Sequence, residues 1–332
     1  GTAADGREAL QCVETLYPDV ITLDVQMPRM NGLVMLDALF QRRPVPVIIV
    51  SSLTKLGANI TLDALERGAL DCILKPDYGV DLRSALQEEL IRKIRLAAGA
   101  DVRRILALRA ERKRRRAERP TREPPRKVPA DTPAAEGTDR CIALGISTGG
   151  PPALSLLFEE LQPPLPPMVV VQHMPPNFTK PLAWRLNTLS ALAIKEAEAG
   201  DLLRPNHVLI APGGRHITLS RSGATVRAAL DDGPPVSGHK PSVDVLMKSA
   251  AEIFRDRCLG VIMTGMGRDG ADGCRFIRQR GGYVLGQDEA SSDVYGMNKV
   301  AFAEGNVDQQ FALENAAAAI TRHARRLSKE KE

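Results

Sequence analysis

The run Cys141-Ile142-Ala143-Leu144 is apolar at every position and is followed at once by Gly145-Ile146-Ser147-Thr148-Gly149-Gly150. An unbroken apolar run has no solvent face, so it reads as a strand buried in a sheet, and the glycines after it open a helix. A small hydroxyl residue at such a turn lies where backbone N–H groups converge. Phosphate and dinucleotide loops use similar turns. Here no Lys-Ser/Thr pair stands at phosphate-loop spacing and no third glycine completes a dinucleotide fingerprint. Ser147 therefore reads as a covalent nucleophile, which needs a base and an orienting acid from elsewhere in the chain.

A base is available where Met168-Val169-Val170-Val171-Gln172 ends in His173, just before Pro175-Pro176. The acid candidate, Asp269, lies in the loop Thr264-Gly265-Met266-Gly267-Arg268-Asp269-Gly270 that follows the run Cys258-Leu259-Gly260-Val261-Ile262-Met263. Sites in open parallel α/β sheets assemble at the carboxyl edges of strands, so three loops far apart in sequence can converge there. Taken singly, Ser147 reads as a cap, His173 as a structural histidine and Asp269 as a turn residue. Their joint pattern favours a Ser-His-Asp triad.

Five ordered stretches carry a resemblance: Gly145 to Gly150, Gln172-His173-Met174-Pro175, Ala211-Pro212-Gly213-Gly214-Arg215-His216, Lys240-Pro241-Ser242-Val243-Asp244-Val245-Leu246 and Thr264 to Gly270. By these the second half resembles the catalytic domain of the chemotaxis-specific protein-glutamate methylesterases, which are also protein-glutamine deamidases. The resemblance implies that Ser147 is the nucleophile, His173 the general base, Asp269 the orienting carboxylate and the backbone N–H of Met266 the oxyanion donor. It implies no cofactor for catalysis and no metal in the catalytic domain. Thr148 is expected to place a hydroxyl near the oxyanion site or to cap the next helix. His216 and His239 are expected beside the site or on the rim of its groove with Arg215 and Lys240, with plain surface histidines as the alternative.

In the first third, three apolar runs end in Asp24, in Ser51-Ser52 and in Lys75-Pro76, with amphipathic segments between them near residues 7–17, 33–42 and 59–67. Carboxylate, hydroxyl and ammonium at successive strand ends form a constellation suited to phosphoryl chemistry. This region resembles a response-regulator receiver, which implies Asp24 as phosphoacceptor, Ser51 as the switch hydroxyl, Lys75 as the phosphate partner and Mg²⁺ as the ion required for phosphorylation. Cys72 stands three residues before Lys75, where receivers commonly carry an aromatic residue. The sequence starts at what resembles the end of the second receiver strand. The first strand, its helix and the magnesium-binding acidic pair are therefore expected to be absent, as in a truncated receiver, and Asp5 is not expected to replace that pair.

A length of 332 residues suits two domains, and 43% apolar residues is an ordinary globular share. The expected organisation is a truncated, flavodoxin-like α/β receiver over 1–102, a basic proline-rich linker over 103–138 and a three-layer α/β/α parallel-sheet hydrolase domain over 139–328. Helix is expected to reach about Ala117, after which Pro120, Pro124, Pro125, Pro129 and Pro133 impose an extended tether. The cluster Arg112-Lys113-Arg114-Arg115-Arg116 supplies much of the net charge of +5. Without interleaved aromatic residues it reads as a solvated face and not as a nucleic-acid site. Five scattered cysteines read as reduced thiols, and no run approaches the roughly 20 apolar residues of a membrane span. A cytoplasmic protein is expected, with methyl-accepting chemoreceptors as substrate and a chemotaxis histidine kinase as phosphodonor. The rival readings are a phosphorylation-dependent binding protein that keeps the hydrolase domain as a scaffold, and a DNA-binding response regulator. The latter lacks a helix-turn-helix with a basic recognition helix after the receiver.

Overall fold

Strands that are apolar along their whole length need cover on both faces, and the chain supplies helices between nearly all of them. The computed structural model describes residues 1–52, 54–75, 83–118, 127 and 139–326. The chain divides into two compact units, Gly1–Thr121 and Arg122–Glu332. Pro76 and the prolines at 120, 124, 125, 129 and 133 lie outside the described residues.

The first unit contains α1 (Gly6–Leu16), β1 (Ile21–Asp24), α2 (Gly32–Arg42), β2 (Val47–Ser51), α3 (Lys55–Arg67), β3 (Asp71–Leu74), α4 (Arg83–Ala98) and α5 (Val102–Ala117). Its strands form a parallel sheet in the order β1-β2-β3, with Leu23 opposite Ile49 and Ile49 opposite Cys72. This register brings Asp24, Ser51 and Lys75 to one edge. Helix starts follow local chemistry, since Asp5, Asn31 and Thr54 each accept a backbone N–H of the first turn they cap.

The linker expected from residue 103 begins differently. Val102 and Ile105 of α5 are buried in one cluster with Ile48, Leu70, Ile73 and Ala97, and Arg109 donates to the Leu65 carbonyl at 2.6 Å. The start of α5 therefore packs into the core of the first unit. The outer positions carry the charge, where Glu111 pairs with Arg114 and Arg115. The arginine density masked a sparse apolar seam of few residues, too thin to register as amphipathic.

The second unit runs β4 (Cys141–Ile146), α6 (Gly150–Glu160), β5 (Met168–Gln172), α7 (Thr179–Leu189), β6 (Ala193–Glu196), β7 (His207–Ile210), β8 (His216–Ser222), β9 (Thr225–Asp231), α8 (Val243–Phe254), β10 (Cys258–Ile262), α9 (Ala271–Gln279), β11 (Tyr283–Gln287), α10 (Met297–Ala303), β12 (Gln309–Phe311) and α11 (Ala316–Arg326). Seven strands form a parallel sheet in the order β12-β11-β10-β4-β5-β7-β6, and β8-β9 is a separate antiparallel hairpin. Cys141, Ala143, Val169 and Val171 belong to a core shared with α8, α9 and the hairpin. The alternate residues Ile142, Leu144, Met168 and Val170 are also buried, so the sheet is covered on both faces. No described helix is long and apolar enough to cross a membrane.

If α5 belongs to the first unit's core, Ile105→Ala should lower that unit's unfolding free energy by about 2–5 kcal/mol, the usual cost of truncating a buried isoleucine. Chemical denaturation of the full chain measures this. A tether residue would leave the transition unmoved.

Candidate active site

β4 lies between β5 and β10; the connection from β4 runs to β5 on one side and that from β10 runs to β11 on the other, so a crevice opens between the carboxyl ends of β4 and β10. Ser147 stands at the β4 end. Its N–H donates to the Thr264 carbonyl at 3.0 Å, and its own carbonyl accepts the Gly150 N–H at 2.8 Å. Helix α6 then starts from Gly149, whose φ of 78° lies in the left-handed region that favours glycine. Thr148 does not cap this helix, because the N-cap is Gly149 and no side chain caps it. The Thr148 carbonyl instead accepts the Thr264 hydroxyl at 3.0 Å.

The next loop is tied to the first by one buried amide. Gln172 Nε2 donates to the carbonyls of both Ser147 and His173 at 3.0 Å, and the His173 N–H donates to the Ile146 carbonyl at 3.1 Å. Among the described residues Ser147 and His173 are joined through these contacts and not by a side-chain hydrogen bond, a looseness usual before substrate binds.

His173 Nε2 lies 2.8 Å from Asp269 Oδ2, and Asp269 is wholly buried. Its Oδ1 accepts the Ser242 hydroxyl at 2.8 Å and the Asp244 N–H at 3.2 Å, while Oδ2 also accepts the Val243 N–H at 2.8 Å. These donors are the N-cap and first turn of α8, where backbone N–H groups are otherwise orphaned and the helix dipole is positive. Burial pushes the Asp269 carboxyl up, yet the hydrogen bond and charge of His173 and the helix donors outweigh it and hold the group well below the usual carboxylate range. An ionised acceptor assigns the imidazole proton to Nε2. Nδ1 is then left with its lone pair, and it is buried with no hydrogen-bond partner among the described residues. That is the nitrogen able to take a proton.

Two carboxylates share this helix end and titrate in opposite directions. Burial first, then the charge of Asp269, push Asp244 up to about 6. Asp244 Oδ1 accepts the N–H groups of Gly270 at 3.0 Å and Gly273 at 2.6 Å, so it braces the loop that carries Asp269.

The loop after β10 passes closely over Ser147. A Cβ on Gly265 would lie 2.8 Å from Ser147 Cβ and 2.4 Å from Met297 Sδ, so only glycine fits. Gly265 is held by its own N–H to the Val294 carbonyl at 3.1 Å, and Met266 follows it in this loop.

His216 is buried and has both ring nitrogens engaged. Nδ1 accepts the Ser242 N–H at 3.1 Å, and Nε2 lies 3.0 Å from the Pro234 carbonyl. It is therefore not on the groove rim; it pins the residue that in turn holds Asp269. Arg215 is turned to a two-pronged ion pair with Asp232. His239 stacks on His173 with ring centroids 3.9 Å apart and planes 12° apart. His173, His239 and Asp269 offer ligand atoms within 4.8 Å of one another. Yet stacked rings carry their lone pairs in separate parallel planes, and a zinc-like ion must lie in both ring planes at about 2 Å. The geometry fits a stacked pair and not a metal ligand set. The buried thiols offer no rival nucleophile, since burial pushes Cys258 up to about 12.

In the first unit, Lys75 Nζ makes an ion pair with Asp24 Oδ2. The Ser51 hydroxyl is turned away to the Gly57 carbonyl at 3.3 Å. Asp5 is occupied as the cap of α1 and as the partner of Arg29. Asp24 belongs to no group of three or more close His, Cys, Asp or Glu side chains among the described residues.

Comparison with known proteins matches residues 142–320 to the CheB methylesterase family and residues 1–87 to the response regulator receiver domain. A protein from Pectobacterium atrosepticum named protein-glutamate methylesterase/protein-glutamine glutaminase is 45% identical over 95% of this chain and 86% of its own length. A protein of the same name from Treponema denticola is 43% identical over 97% of this chain and 90% of its own length. The crystal structure of the Thermotoga maritima CheB methylesterase catalytic domain superposes with a TM-score of 0.54 at 38% identity, covering 55% of this chain and 97% of that one.

The opposed titrations of the two carboxylates give a pH signature. A raised Asp244 binds more protons in the folded state than in the unfolded one, so it removes stability as pH rises from its ordinary range near 4 through about 6. The depressed Asp269 contributes stability above its ordinary range that is lost only in stronger acid. Asp244→Asn keeps an acceptor for the two glycine N–H groups and should abolish the loss between pH 4 and 6, so that the variant gains on the wild type as pH rises. Denaturation midpoints at pH 4.5 and 8 check this, and a gain confined to the lower pH would refute it.

Proposed function

This chain belongs to the CheB methylesterase family, and from that premise we propose that it hydrolyses glutamate γ-methyl esters, and deamidates glutamines, on chemoreceptors through Ser147, His173 and Asp269. The relatives' names support the activity, and the residue roles rest on one observation above all. Asp269 claims Nε2 of His173 and leaves Nδ1 buried and unpaired, on a residue whose own backbone N–H is bonded to the strand end that carries Ser147.

The chemistry runs in two halves. Ser147 Oγ attacks the ester carbonyl and gives its proton to His173 Nδ1. The tetrahedral oxyanion is stabilised by the Met266 N–H. Collapse breaks the bond to the methoxy oxygen, which takes the proton back from Nδ1 and leaves as methanol. Water then attacks the acyl group on Ser147, again losing a proton to Nδ1, and the carboxylate departs as serine regains its proton. With glutamine the leaving group is ammonia and the acyl intermediate is the same. Asp269 stabilises the transient imidazolium without itself becoming protonated.

Regulation by phosphorylation of Asp24 is the second part of this reading. Lys75 is placed to meet phosphoryl oxygens, and rotation of Ser51 away from Gly57 would bring its hydroxyl to the same edge.

Ser147→Ala and His173→Ala should each lower methanol release from methyl-labelled receptor membranes by about 10³-fold or more, since each removes a member of one chemical unit. Asp269→Asn should cost less. Near-native turnover of Ser147→Ala would remove the nucleophile assignment. For the receiver, phosphoryl label passed from the chemotaxis histidine kinase should enter this chain and be lost in Asp24→Asn. Label that persists in the variant would place the acceptor elsewhere.

A further inference from the structure

His239 stands at the end of a tight turn between β9 and α8. Val236 and His239 exchange N–H···O bonds of 3.0 and 2.9 Å, and the two residues between them, Ser237 and Gly238, have φ of 51° and 75°. This is the geometry of a two-residue primed hairpin turn, which fixes the direction of the residue that follows it. The ring is further oriented by Nδ1 at 2.9 Å from the Ser237 carbonyl. It lies face to face on His173 at a centroid distance of 3.9 Å. The segment leading on from this turn ends at Ser242, which His216 pins and which holds Asp269. One short stretch of chain thus presents both a ring to the face of His173 and a hydroxyl to its carboxylate.

The base needs this second constraint. A single hydrogen bond at Nε2 lets the imidazole rock about that contact, and rocking swings Nδ1, which has no hydrogen bond of its own among the described residues. A flat side chain at van der Waals distance opposes that motion and keeps water from one face of the ring.

We propose that His239 is a positioning residue that holds the plane of His173 by stacking, and with it the position of Nδ1. The proposal rests on His173 being the base, and it assigns to His239 a mechanical role with no proton transfer of its own. Misplacing a catalytic group costs transition-state stabilisation and leaves ground-state binding nearly intact.

The test is steady-state kinetics of the full chain on methyl-labelled receptor membranes, with His239→Ala, His239→Phe and His173→Ala beside the wild type. His239→Ala should lower kcat about tenfold with KM within about twofold, and His239→Phe, which keeps a flat face but cannot titrate, should return kcat to within about threefold of the wild type. An unchanged kcat in His239→Ala would overturn the proposal. So would a change confined to KM, or a Phe variant as slow as Ala, because either outcome assigns His239 to substrate contact or to its own proton. The His173→Ala arm separates the two levels: if it turns over normally the base reading itself fails, whatever His239 does.

Discussion

A carboxylate can stay ionised in a protein interior only where donors surround it, and Asp269 meets that condition by lying against the start of α8. It receives the Ser242 hydroxyl, the N–H groups of Val243 and Asp244, and the Nε2 proton of His173. The helix would otherwise leave those N–H groups unpaired, so cap and carboxylate satisfy each other. This arrangement engages Nε2 of His173 and leaves Nδ1 without a hydrogen bond among the described residues. It also places a second carboxylate, Asp244, close enough to be pushed towards neutrality.

The parallel sheet explains why these groups meet at all. β4 lies between β5 and β10 in register, with Ile146 opposite Gln172 and Ile262 opposite Gly145. Three loops from three strands therefore leave at one level. Close approach does the rest. Gly265 has no side chain to hold its peptide away from Ser147, and Gly150 leaves room for the Gln172 amide, since a Cβ there would lie 1.9 Å from Gln172 Oε1. Gln172 in turn ties the Ser147 and His173 backbones together. Rigidity is built from the backbone outward.

Much of this is legible in the sequence, for a definite reason. A polar residue that ends an apolar run must emerge at a strand's carboxyl edge, and that is how Ser147, His173, Asp24 and Lys75 are found, while Asp269 is found in the glycine-rich loop after such a run. Side chains that act through the third dimension leave no such mark. Ser242 looks like an ordinary helix cap, and only the fold shows that its hydroxyl faces Asp269. His216 belongs to a recognisable motif, yet its burial and its two hydrogen bonds arise from the hairpin β8-β9 folding back towards α8. His239 sits among turn residues, and its stacking on His173 spans 66 positions in sequence. In the first unit, the charge of α5 hid the burial of Val102 and Ile105 because so few apolar residues make that seam. The expected Ser51 partnership with Asp24 is a matter of rotamer, which sequence does not encode.

The central claim is that Asp269 selects the Nε2–H form of His173 and leaves Nδ1 as the base. Nitrogen-15 NMR of histidine-labelled protein reads this directly, because protonated and unprotonated ring nitrogens resonate far apart. At a pH where the ring is neutral, the His173 signal, assigned by its loss in His173→Ala, should show a protonated Nε2 and an unprotonated Nδ1, and Asp269→Asn should shift that balance. A neutral ring whose proton lies on Nδ1, with Asp269 intact, would contradict the account.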